Sequence, residues 1–184
     1  MDKKILWITR TAILLAICLA FQSLRLVFPS IPTLVVGSLV NLVLFITVAT
    51  VGLTSGIMIA VITPVVAILQ SFLPFPQMIL VVAAGNIVLV FVFYLFAKKE
   101  NHLSMIAGVI ASSLIKFLLL WGLVKLLIIP LLINFVPEKK VGPVTNALTL
   151  NFSWPQLITA LVGGVVALAV IPAVKKSMKT NRKN

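Results

Sequence analysis

Apolar residues fill this chain in runs too long for the helices of a water-soluble domain, and polar residues collect in short groups between the runs. With about 17 to 25 residues needed for each helical crossing of a bilayer, the runs predict helices near 5–28, 33–53, 55–73, 77–97, 103–129 and 153–174. Pro29 and Pro32, Gly52 to Gly56, Pro74 and Pro76, Lys98 to Asn101, and a long segment from Pro130 to Asn151 mark the turns. Strict two-residue alternation is missing, which disfavours a transmembrane β-barrel. The expected fold is therefore a single all-α domain of six transmembrane helices, with an outer loop at 130–152 and a basic tail at 175–184. The uncharged linker Gly52-Leu-Thr-Ser-Gly56 leaves open whether 33–73 is two full spans or one broken unit.

Composition agrees with the pattern and removes the soluble classes. Of 184 residues, 61% are hydrophobic and 10% charged, and the mean hydropathy is +1.25. Lys3 and Lys4 precede an apolar run in the manner of a signal peptide, but that run continues to about Phe28 and more spans follow, so it reads as the first span. The net charge of +12 does not point to nucleic acid, because the basic residues sit at the ends of apolar segments and are not interleaved with aromatics. Topology accounts for them. Lys3, Lys4, Arg10, Lys98, Lys99, Lys175, Lys176, Lys179, Arg182 and Lys183 fall on one side, and chiefly Lys139 and Lys140 on the other. The excess of positive charge predicts both termini in the cytoplasm. The lone Cys18 reads as apolar packing, and one cysteine supplies neither a disulfide nor a cysteine metal site.

The chemistry that is missing narrows the function. The three carboxylates, Asp2, Glu100 and Glu138, all fall in a terminus or a loop. Proton-coupled carriers need an acidic or histidine relay within the membrane, and intramembrane hydrolases need a Ser/His, paired-Asp or metal constellation. The only histidine, His102, sits beside Lys99 and Glu100 at a predicted helix start, where interfacial solvation explains it. No phosphate-binding G-x-x-x-x-G-K-[ST] loop occurs. A non-enzyme without metal or cofactor is expected, and any energy must come from a partner.

The polar residues left inside the spans are the candidate site, since burying each is costly unless it is satisfied or useful. Gln22 and Arg25 are i,i+3 neighbours near the outer end of the first helix. Asn41 lies on the second helix, Asn86 near mid-depth on the fourth, and Lys116, Trp121 and Lys125 on the fifth, with Trp154 and Gln156 opening the sixth. Their depths predict one outward-opening cavity. Each also has a plain structural reading: Arg25 and Lys125 as snorkelling cations, Trp154 as part of an aromatic belt, Asn41, Asn86 and Gln156 as helix-to-helix hydrogen bonds. Lys116 is hardest to explain away, being far from both ends of its helix. Nine residues put Lys125 about 180° from it, so Lys116 is the preferred pocket cation. A cation without acidic partners suggests a ligand bearing a carboxylate or phosphate, with a neutral amphipathic ligand as the alternative.

Ala12, Ala16 and Ala20 recur every fourth residue on the first helix, about 180° from Arg25. Small residues at this spacing let another helix approach closely, whether inside the bundle or from a partner. In its length, its six-helix plan and its segment Thr11-Ala12-Ile-Leu-Leu-Ala16-Ile-Cys-Leu-Ala20, the chain resembles the substrate-binding S components of energy-coupling factor (ECF) vitamin transporters, whose coupling motif is A-x-x-x-A. Val36-Gly-Ser-Leu-Val-Asn41, Thr63-Pro64, Gly85-Asn86 and Phe152-Ser-Trp-Pro-Gln156 share the general style of these proteins.

The resemblance implies a high-affinity binder for a water-soluble vitamin or related micronutrient in a prokaryotic cell membrane. It further implies docking of Ala12, Ala16 and Ala20 onto a transmembrane coupling protein driven by two cytoplasmic ATPases, with loops 29–33, 74–76 and 130–152 covering the ligand and the last acting as a lid. The stricter motifs of the thiamine, riboflavin, biotin and folate members are not recognised here, so the ligand is open. Two other classes compete. A stand-alone carrier predicts polar residues continuing through the inner half, and a holin-like or scaffold bundle predicts no ligand.

Overall fold

The computed structural model describes residues 2–99, 101–133 and 135–180. Glu100, Arg182 and Lys183 lie outside the described residues. The chain is all-α: α1 Lys3–Val27, α2 Thr33–Thr50, α3 Leu53–Leu69, α4 Met78–Ala97, α5 His102–Leu123, a π-helical turn Val124–Ile128, α6 Ile129–Ile133, α7 Glu138–Asn151 and α8 Trp154–Thr180. Among the described residues five stretches are long and apolar enough to cross a membrane, and α3 is a shorter apolar helix of 17 residues. At about 1.5 Å per residue α3 reaches about 25 Å, a little less than a hydrocarbon core of about 30 Å.

The ambiguous 33–73 segment is two separate helices. They reverse at Val51 and Gly52, where Gly52 adopts φ 127°, a region that a side chain would strain. α3 ends at Leu69, four residues before the predicted limit, because the chain turns through Gln70 and Ser71, the latter at φ 59°. The stretch 130–152, expected as a loop, is largely helical. Pro137 precedes α7, in which Val141, Val144 and Leu148 fall on one stripe while Glu138, Lys139 and Lys140 are exposed. Its low mean apolarity hides it from a search for spans. Likewise α8 runs beyond the predicted limit at 174, carrying the first basic residues of the tail as helix.

Packing divides the interior into two apolar clusters. Toward the end that holds both helical termini, Cys18, Val43, Leu44, Phe45, Leu89, Phe93, Val109 and Ala167 pack together, with Phe45 and Phe93 edge to face at 4.7 Å. Toward the opposite end, Met78, Val81, Leu120, Val124, Ile128, Leu148 and Phe152 form a second cluster. α2 and α8 pack most extensively, α4 lies against α3 and α5, and α1 is peripheral, packing against α2 and α3. The α2–α8 approach depends on Gly163, where an added Cβ would lie 2.5 Å from the Ser38 carbonyl oxygen. Between the two apolar clusters, at one level on α2, α4, α5 and α8, sits a group of polar side chains.

Candidate functional site

Helical periodicity aims Lys116 inward. On α5 the buried positions Val109, Ser112, Ser113, Lys116 and Leu120 recur every three or four residues, and Ile110, Leu114, Ile115 and Leu118 cover the opposite, exposed face. The same rule turns Asn86 on α4 toward α5, between Val81 of one apolar cluster and Leu89 of the other. Asn41 on α2 and Thr159 on α8 meet where Gly163 lets those helices close up.

These four side chains form one network. Lys116 Nζ donates to Asn41 Oδ1 at 2.7 Å and to Asn86 Oδ1 at 2.8 Å. Asn41 Nδ2 donates to Thr159 Oγ1 at 3.3 Å, and Thr159 Oγ1 donates to the Gln156 carbonyl at 3.1 Å. Lys116 and Asn86 are each 3% exposed and Asn41 2%. A hydrogen bond to a charged group is worth about 1.5–3 kcal/mol, against a cost of several kcal/mol for burying an ammonium. Two amide oxygens therefore offset much of that cost without cancelling the charge. The described carboxylates, Asp2 and Glu138, are both exposed and stand apart from it. One turn along α5, Ser113 Oγ is buried and has no hydrogen-bond partner among the described residues.

The remaining candidates lie elsewhere, so the structure does not gather all nine into one cavity. Gln22 and Arg25 belong to a second group at the junction of α1 with the end of α3. There Gln22 Nε2 donates to Gln70 Oε1 at 3.2 Å, and Gln70 Nε2 donates to Ser23 Oγ at 2.7 Å. The Arg25 guanidinium stands 5.1 Å from the centre of the Phe72 ring, and its buried Nε has no partner among the described residues. Trp121 and Lys125 face outward and satisfy each other, with Lys125 Nζ 4.5 Å from the Trp121 ring centre. Trp154 is exposed, and Gln156 is half-buried with Nε2 donating to the Asn151 carbonyl at 3.3 Å.

Two participants escape a reading by sequence. Thr159 passes for an ordinary small residue within an apolar run, although its place four residues before Gly163 puts it on the packed face. Gln70 lies near the end of an apolar run where a turn explains it equally well. His102 is exposed at the start of α5.

The alanine stripe has a different surface. Thr11, Cys18 and Gln22 are the buried positions of α1, whereas Ala12, Ala16 and Ala20 are exposed, flanked by the exposed Ile5, Ile8, Ile13 and Ile17. Thr11 holds the inward side of α1 to α3 through a 2.7 Å bond between its hydroxyl and that of Ser55. Among the described residues the stripe thus lies at the surface of the bundle. Comparisons with protein-family models, curated proteins and solved structures returned no match. What defines the class is the molecule itself: a multi-pass, all-α membrane protein.

Proposed function

We propose that this protein is the membrane-embedded substrate-binding subunit of an ECF-type importer for a water-soluble micronutrient, oriented with both termini in the cytoplasm of a prokaryotic cell. The observation that carries the reading is the outward alanine face of α1. Small residues at four-residue spacing are useful where a helix backbone comes close, and among the described residues these three are exposed. A transmembrane coupling protein docked there would receive energy from cytoplasmic ATPases, which fits a chain without a phosphate-binding loop. The Lys116 network is the ligand site in this reading, and α7 is its cover on the outer side.

The test is purification from native membranes of the wild type and of Ala16→Trp, each assayed for co-purified ATPase subunits and for thermal shift with a vitamin panel. The reading expects the variant to lose the ATPases and keep its ligand response. Equal recovery of the ATPases from both would refute it. A second reading is favoured by a specific observation: the Asn41–Lys116–Asn86 bonds already satisfy the ammonium twice over inside the bundle. That suits a scaffold or holin-like bundle with no ligand. A ligand at about 100 times its Kd adds about 2.7 kcal/mol of stability, so a flat thermal response across the panel favours the scaffold.

A further inference from the structure

We infer that the ligand of the Lys116 site carries a single carboxylate, held by the ammonium of Lys116, the hydroxyl of Ser113 and the amide of Asn86. The inference rests on the substrate-binding reading above and supplies its substrate class.

Charge comes first. Lys116 is the only charged side chain among the buried described residues, and both described carboxylates are at the surface. A cation in the middle of a bilayer with no counter-charge among the described residues of its own chain is matched by one negative charge brought from outside. A phosphate carries about 1.5 to 2 negative charges and calls for a second cation. Arg25 and Lys125 do not supply it, being placed on Phe72 and Trp121 in other groups.

Two of the three N–H bonds of the ammonium are used by asparagine oxygens. Ser113, buried three residues away on the same face of α5, has a hydroxyl without a partner among the described residues. The two asparagines are not equivalent: Asn41 is tethered through its Nδ2 to Thr159, whereas the bond to Lys116 is the only one Asn86 makes among the described residues. Asn86 is therefore the partner that yields. An entering carboxylate oxygen takes the place of Asn86 Oδ1 on Lys116 Nζ, and rotation of the freed carboxamide turns its N–H groups toward the same anion. The second oxygen accepts from Ser113. Every group in contact is then a donor facing an acceptor.

The experiment uses the full-length protein in lipid nanodiscs, titrated by calorimetry with matched pairs: nicotinate and nicotinamide, biotin and biotinamide, pantothenate and pantothenol, with thiamine and riboflavin added. At least one acid is expected to bind, with its neutral partner weaker by about tenfold or more. Lys116→Gln should erase that difference. Asn86→Asp, which keeps the size of the side chain, should build the counter-charge into the protein, raise its melting temperature and weaken the acid by about tenfold or more. It also reports on the site should Lys116→Gln fail to fold. Equal binding of acid and neutral partner overturns the inference, as does an acid whose affinity ignores both substitutions. Binding of thiamine, riboflavin or neutral compounds alone overturns the carboxylate while the binding-subunit reading stands. Silence across the whole panel takes both down.

Discussion

On α8, Gly163 sits against the backbone of α2, so close that an added Cβ would meet the Ser38 oxygen at 2.5 Å. On α1, Ala12, Ala16 and Ala20 make a stripe of similarly small residues, yet all three are exposed and the helix binds the bundle by its other side, through Thr11, Cys18 and Gln22. The same device of membrane packing is consumed inside the molecule in one place and left open in the other. In a bilayer, where lipid tails are as apolar as leucine, a small-residue face gains nothing by meeting lipid. Its value is realised only when a second helix arrives. The contrast between α8 and α1 is therefore a contrast between a small-residue face packed within the bundle and one that lies at its surface.

Substitutions can break that contrast at several points. The largest effect is expected at Gly163→Val, which pushes α8 off α2 and separates Thr159 from Asn41. Overpacking of this kind costs about 3 kcal/mol, and unfolding in mixed micelles should show it. Asn41→Leu comes next. It strips an acceptor from a buried ammonium and a donor from Thr159, for a loss of about 2 kcal/mol by the same measurement. At the far junction, Gln70→Leu removes two side-chain bonds from a partly exposed group and should cost about 1 kcal/mol or less. Ala16→Trp on the open face should leave stability within about 0.5 kcal/mol of wild type, as exposed positions do. If Ala16→Trp destabilises the isolated protein as Gly163→Val does, the two faces are not different in kind.

How far the residues announce all this varies with the physics involved. Long apolar runs in this chain mark all-α membrane spans plainly, because a bilayer permits so few backbone arrangements. What they conceal is α7, whose stripe of Val141, Val144 and Leu148 is diluted by lysines, a proline and a glycine. They also conceal the π turn at Val124–Ile128, which precedes Pro130, a residue with no N–H to continue the α pattern. In the site, depth along each helix was legible and direction was less so. Asn41, Asn86 and Lys116 share a depth and do meet, whereas Gln22 and Arg25 turn toward Gln70 and Phe72, and Lys125 turns to the surface beside Trp121. Direction depends on which helices are neighbours, and a list of spans does not contain that. The alanine stripe illustrates the same limit from the other side: its spacing suits a close contact, and only the assembled bundle shows that the stripe lies at the surface.

The claim on which the rest depends is that the open face of α1 belongs to a partner. The direct measurement is ATP hydrolysis by complexes purified through this subunit from native membranes, normalised to the amount of subunit, for wild type and Ala16→Trp side by side. The account predicts ATPase activity with the wild type, its loss with Ala16→Trp, and an unchanged melting temperature of the isolated variant. Equal activity in the two preparations, or none in either, would contradict it.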